Sequence, residues 1–319
     1  MKCTRRAFAR GGGLALLAGC GRSGAKLIGV IPKATSHLFF VSVHAGVNAA
    51  AHDFRVDVLW NGPQQETDYA GQVEIVDSMI TRQVSAIAIS ATDQEALVAP
   101  VERAIRAGIP VTVFDSAVNI NDYVSFIATD NYAAGCTGAR TLARFIGARG
   151  KVGMVMQKPG GTSTVLREQG FVATVAKEFP DIQIVARQYG MADPARSRAA
   201  AEDILSAHPD LAGIFASSEA ASIGSIQAIK NRNLAGKVKL VTFDFSKAHV
   251  DALRDGTANA MLVQNPYELG YQSVKSLVEK LNRATPAKKM ELPVRVIEKA
   301  DLDKAEVRAL IEPEWLKGQ

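Results

Sequence analysis

Residues 86–115 read AIAISATDQEALVAPVERAIRAGIPVTVFD, and this stretch decides the fold. Ala86 to Ser90 is a short apolar run, the pattern of a strand covered on both faces. Gln94 to Ala107 carries apolar residues at helical spacing and predicts a helix, closed by Gly108 and Pro110. Val111 to Phe114 predicts the next strand, which ends at Asp115. Strand, helix and strand in succession form a unit whose two strands run parallel.

The same alternation extends on both sides. On the N-terminal side, Leu27 to Ile31 reads as a strand ended by Pro32, and Phe39 to Phe54 has helical spacing. Val56 to Trp60 is extended and punctuated by Asn61-Gly62-Pro63, and Thr67 to Arg82 is helical. On the C-terminal side, strands are expected at Lys151–Met156, Ile182–Ala186, Ala212–Phe215 and Lys239–Phe243. Helices are expected after the Gly160-Gly161-Thr162-Ser163 turn through Lys177, then at Pro194–Ala207, Ser218–Lys230 and Lys247–Arg254. The two series cover roughly 26–128 and 130–263. Because single sheets of ten or more strands are uncommon, the expectation is an α/β protein of two doubly wound parallel-sheet lobes.

The first twenty residues differ from the rest. Arg5-Arg6 precede a short apolar run, Gly11 to Gly19, which is far below the roughly 20 residues of a bilayer span. A basic start, an apolar core and small residues before a cut site read as an export signal. Leu17-Ala18-Gly19-Cys20 resembles the lipobox of bacterial lipoproteins, and Thr4-Arg5-Arg6-Ala7-Phe8 the twin-arginine export motif. This implies lipidation at Cys20 and a location in the periplasm or on the outer face of the cytoplasmic membrane. The formal charge of +5 also comes largely from this stretch. Without Lys2, Arg5, Arg6 and Arg10, 33 basic residues face 32 acidic ones, and no long basic run remains to suggest nucleic acid. Beyond Cys3 and Cys20 only Cys136 is left, so the mature monomer has no internal disulfide, and Cys136 reads as a small buried hydrophobe.

Nothing points to an enzyme. The Gly-x-Ser-x-Gly elbow, the phosphate-binding loop and His-Glu-x-x-His are all missing from the sequence. His37, His44, His52, His208 and His249 have no metal-ligand spacing, and His44 and His52 are expected to face solvent or a neighbouring loop. No cofactor and no metal is expected. In open α/β sheets ligands bind beyond the carboxyl ends of the strands. The candidates there are Lys33, His37, Ser90, Asp115, Ser116, Arg167, Ser218, Glu219, Asp244 and Gln264.

Eight stretches carry a family resemblance, in order along the chain. They are Ser36–Ser42, Gly108–Asp115, Ile127–Asn131, Gly161-Thr162-Ser163, Arg167–Phe171, Ala207–Asp210, Phe243-Asp244 and Val263–Pro266. Together they resemble the type I periplasmic sugar-binding proteins of the ribose-binding branch, which share their lobes with the lac repressor family. The resemblance implies a periplasmic binding protein fold with three hinge crossings, near Thr129–Asn131, Gln264–Pro266 and Leu292–Val294. It divides the chain into an export signal (1–20), an N-terminal lobe (26–129 with 266–292) and a C-terminal lobe (130–265 with 293–312). It implies the exported binding component of a carbohydrate ABC transporter, which clamps a monosaccharide or polyol and delivers it to a permease. A sensor presenting the ligand to a membrane receptor is the alternative. The protein is expected to be a monomer, held to the membrane by lipid.

By the same resemblance Phe39 and Phe40 would sandwich the sugar ring, though paired phenylalanines at a helix start also suit a core. Asp115 and Asp244 would accept hydroxyl hydrogens, Arg167 would reach the cleft from the second lobe, and Gln264 would donate and accept at a crossing. Capping roles for the aspartates, a surface ion pair for Arg167 and a structural role for Gln264 are the competing readings. The chain departs from the ribose-binding pattern at Lys33, His37, Ser116, Ala192, Ser218 and Glu219. Lys33 is expected in solvent, as most lysines are.

Overall fold

The computed structural model describes residues 26–313. The expected export signal and Cys20 lie outside them. Five strands, β1 (Leu27–Ile31), β2 (Asp57–Trp60), β3 (Ala86–Ile89), β4 (Val111–Phe114) and β5 (Phe126–Thr129), build one sheet. The next five, β6 (Gly150–Met156), β7 (Ile182–Tyr189), β8 (Leu211–Ala216), β9 (Lys239–Phe243) and β10 (Ala260–Val263), build a second. Late in the chain β11 (Lys289–Leu292) returns to the first sheet, and β12 (Arg295–Ile297) joins the second.

The sheet orders, β11-β5-β4-β3-β1-β2 and β12-β10-β9-β8-β6-β7, are the same pattern written twice. One strand departs from the expected parallel sheets: β12 pairs antiparallel with β10, whereas β11 pairs parallel with β5. The reason is geometric. β5, β10 and β11 all end at the hinge, and the chain leaving β11 runs directly into β12, which therefore starts there.

The helices are α1 (Leu38–Phe54), α2 (Tyr69–Thr81), α3 (Val98–Arg106), α4 (Asn131–Ile146), α5 (Thr162–Glu178), α6 (Pro194–Ala207), α7 (Glu219–Asn231), α8 (Lys247–Asp255), α9 (Pro266–Leu281) and α10 (Ala305–Ile311). Two begin two or more residues later than the spacing predicts, for local reasons. Asp68 caps α2 by accepting from Gly71 N at 2.9 Å. Ahead of α3, the Asp93 carboxylate accepts from the Glu95 and Ala96 amides at 2.9 and 3.0 Å, a turn that competes with helix.

Strand residues alternate between two apolar layers in each lobe, the mark of sheets covered on both sides. In β3, Ala86 and Ala88 pack with Val43 and Leu269, while Ile87 and Ile89 pack with Met79 and Val101. In the second lobe Phe215 of β8 packs with Phe171 and Phe243, and Ile214 with Ile204 and Leu253. The chain changes lobe after β5 and after β10. Hence α4 packs on α5 and α9 on α1, in two matching pairs joined through glycine. A Cβ on Gly46 would lie 1.9 Å from the Tyr267 carbonyl oxygen, and one on Gly170 2.1 Å from that of Tyr132.

Two expected placements differ. His44 is half-buried and stacks on Trp60, ring centroids 4.4 Å apart, because β2 runs beside α1. Cys136, on α4, is partly exposed rather than buried. His52 does face solvent, its side chain 90% exposed. No helix among the described residues is long and apolar enough to cross a membrane.

Candidate functional site

Carboxyl ends of parallel strands from both sheets converge on one cleft, and six of them deliver a polar side chain to it just past the strand. β1 is followed by Lys33, β4 by Asp115, β6 by Gln157, β8 by Ser218 and Glu219, β9 by Asp244 and β10 by Gln264. Asp115 and Asp244 have φ of 56° and 68°. In this left-handed turn, which aspartate tolerates better than most residues, the chain leaves the strand sharply. His37, Phe39, Phe40, Glu66, Ser163, Thr164 and Arg167 complete the lining. The space open to water-molecule centres inside is about 30 Å³.

Lys33 is 3% exposed rather than solvated. Its ammonium pairs with Asp115 Oδ2 at 3.0 Å and stands 3.9 Å from Glu66 Oε1. It also donates to Ser116 Oγ at 3.0 Å and to Ser163 Oγ, in the other lobe, at 3.2 Å. Burial works against its charge, but Asp115 and Glu66 outweigh burial and raise its pKa. Burial likewise opposes the Glu66 carboxylate, yet Lys33 and His37 hold it well below the usual range. Ser116 is fully buried one step behind, bonded to Lys33 and Ser163, and does not line the cavity.

Arg167 is 2% exposed and forms no surface ion pair. It donates to Ser217 O and to Asn131 Oδ1, and its guanidinium lies 3.3 Å from the centre of the Phe243 ring. Its buried Nε–H has no partner among the described residues, which leaves a donor at the cleft. Asp244 accepts from Gln264 Nε2 at 2.7 Å and from Glu219 N at 3.2 Å. Burial, with Asp115 adding to it, raises the Asp244 pKa. Gln264 accepts from Thr129 Oγ1 at 2.6 Å, so it ties two hinge crossings to Asp244.

Of the remaining candidates, Glu219 and His37 bridge the lobes. Glu219 accepts from Leu38 N at 3.2 Å and Phe39 N at 3.0 Å, and burial raises its pKa. His37 Nε2 lies 3.3 Å from Ala192 O and Nδ1 3.5 Å from Glu66. Burial disfavours the imidazolium, but Glu66 and Glu219 raise its pKa above the usual 6.5. Ser218 caps α7 and donates to Gln157 Oε1. Phe39 and Phe40 meet edge to face at 5.1 Å; they belong to the first lobe's core and also line the cavity.

Sequence reasoning missed Glu66, Gln157, Ser163 and Thr164 as lining residues. Gln157 directly follows β6 and obeys the strand-end rule. Glu66 sits in the loop after β2, where no periodic pattern marks it. The arrangement offers hydroxyls several carboxylate acceptors, one arginine donor and an amide of both kinds, with phenylalanine beside them. Among the described residues no group of three or more His, Cys, Asp or Glu side chains could hold a metal ion. A larger cavity, about 620 Å³, lies behind the hinge among mostly apolar residues such as Phe245, Pro266, Leu292 and Leu310. It lacks the convergent charges of the cleft.

Comparison with known proteins gives a consistent result. Residues 28–285 match the family described as "Periplasmic binding protein domain". A D-ribose/D-allose-binding protein of Pseudomonas aeruginosa is 28% identical over 284 residues, covering 85% of this chain and 88% of the relative. A carbohydrate transporter solute-binding protein of Agrobacterium radiobacter, solved with D-arabinose, is 30% identical with a TM-score of 0.88, covering 91% of this chain and 99% of its own. An ABC transporter solute-binding protein of Agrobacterium vitis, solved with α-D-tagatopyranose, is 31% identical with a TM-score of 0.86, covering 89% and 98%.

Proposed function

This chain belongs to the periplasmic binding protein family, and from that premise we propose that it is the sugar-binding component of a carbohydrate ABC importer. It works outside the cytoplasm, clamping a monosaccharide or polyol between its lobes. The observation that carries the reading is the convergence of Asp115, Asp244 and the Arg167 Nε–H on one cleft, across a hinge held by Gln264. Carboxylates accept hydroxyl hydrogens and the guanidinium donates to hydroxyl or ring oxygens, while Phe39 and Phe40 offer ring faces to C–H groups. Charge-assisted bonds contribute about 1.5–3 kcal/mol each. A few of them match a micromolar constant, about 8 kcal/mol, after ordering costs.

Lipid attached at Cys20 would tether the monomeric clamp beside its permease, and fatty-acid labelling of wild type against Cys20→Ala tests the tether. A thermal-shift panel of D-ribose, D-allose, D-arabinose, D-tagatose, D-fucose and common polyols tests the ligand class. At least one sugar should raise the melting temperature in a saturable way, and a panel without a binder would refute the assignment.

A further inference from the structure

The closed arrangement is held by the chain's own side chains. Lys33 Nζ has three donors, and they are matched by Asp115, Ser116 and Ser163, the last on the opposite lobe. A buried ammonium is tolerated where it is paired in this way. Helix α1 starts without a cap of its own, since the His37 side chain at its N-cap position makes no capping bond to the helix amides. Its first amides, Leu38 and Phe39, are satisfied by the Glu219 carboxylate from the other lobe, where negative charge also suits the helix dipole. Lys158 mirrors Lys33 from the second lobe by donating to Thr92 O at 2.5 Å. Thr162 Oγ1 accepts from Ala117 N at 2.6 Å. With these contacts made, the cleft has room for about two waters, so a sugar can enter only if side chains yield.

We propose that Lys33 and Glu219 form a latch that closes the lobes without a bound sugar, so that a ligand competes with the Lys33 ammonium for Asp115. The competition rests on the sugar-binding reading; the latch does not. Asp115 Oδ2 is already taken by Lys33 and Ser90 Oγ, which leaves Oδ1 as the acceptor a hydroxyl reaches first. Lys33 thereby sets a threshold: ligands that cannot replace its bonds on both lobes are rejected.

Hydrogen exchange of the full chain, read by mass spectrometry over residues 36–40 and 116–118, tests the latch with no sugar present. In an open protein the Leu38, Phe39 and Ala117 amides face water. The latch predicts that they are protected in wild type and exchange at least 10-fold faster in Lys33→Met. In Ser163→Ala, which removes the cross-lobe bonds of Ser163 to Lys33 and Ser116 and leaves no unpaired charge, they should exchange at least 3-fold faster. Unprotected amides in sugar-free wild type, or identical rates in wild type and Ser163→Ala, would overturn it. A latched protein that binds no sugar keeps the protection, and a sugar binder without a latch gains it only when D-ribose or D-arabinose is added, so the two failures are told apart.

Discussion

The two lobes are built on one plan and charged differently. Corresponding strand ends carry Lys33 and Lys158, Ser90 and Ser217, Asp115 and Asp244. The matching glycine contacts of α1 and α5 put Val43 where the second lobe has Arg167. In the first lobe the lysine meets its own aspartate at 3.0 Å. In the second, Lys158 turns away to Thr92, and the cation near Asp244 is an arginine seated on Phe243 with one donor to spare. The lesson is a division of labour. The backbone plan fixes where polar groups emerge, and a few substitutions decide which lobe latches and which keeps a donor for the ligand.

The sharpest way to break this comparison is Arg167→Val, which gives the second lobe the first lobe's residue. Stripping a buried, hydrogen-bonded cation should cost about 3–5 kcal/mol, more than 100-fold in affinity by calorimetry with the tightest sugar of the panel. Val43→Ala should lower stability and leave that affinity within about threefold. Next in size is the lysine pair. Lys33→Met leaves buried Asp115 without its ion-pair partner and Glu66 with His37 alone, and should destabilise by about 3 kcal/mol or more in urea unfolding. Lys158→Met removes bonds to the Thr92 and Pro159 carbonyls and a contact over the Tyr69 ring, breaks no direct ion pair, and should cost about 1–2 kcal/mol. If the two cost the same, the asymmetry of charge has no energetic content.

A third pair should behave alike. Gly46→Ala and Gly170→Ala both drive a Cβ into a backbone carbonyl, at 1.9 and 2.1 Å. Each should destabilise by about 1–3 kcal/mol, seen as a lower urea midpoint with unchanged slope. The smallest effect is on pH. The His37 pKa is raised in the closed state by Glu66 and Glu219, against the pull of burial and of Lys33. Its contribution is therefore complete below about 6.5 and is lost as pH rises through the raised value. Affinity should fall on the order of a few-fold between about pH 6 and 7.5, and His37→Asn should flatten that slope. Lys158, lowered to about 8 by burial and by Lys33, acts in the opposite sense above that range.

Much of this architecture was legible in the sequence because buried parallel strands write short apolar runs. The rule that ligands gather past strand ends points to Asp115, Asp244 and Lys33 from the sequence alone. β11 and β12 read in the sequence only as a crossing. Lys289-Met290-Glu291-Leu292 alternates exposed and half-buried residues at a sheet edge, and β12 is three residues long, so neither carries a core pattern. Lys33 was expected in solvent, the usual place for a lysine, because the carboxylates that bury it arrive from two separate loops. Glu219 read as a ligand candidate, but its partners are backbone amides across the cleft, and no residue type announces those. Non-local pairing of charges is what the spacing of one chain does not encode.

A crystal structure of the protein with the tightest sugar of the panel tests the central claim most directly. The account predicts the sugar in the cleft, with hydroxyl or ring oxygens within about 3.2 Å of Asp115, Asp244 and Arg167 Nε. It also predicts the Lys33 ammonium displaced from Asp115. A sugar bound instead in the cavity behind the hinge, or one seated in the cleft without touching those three groups, would contradict it.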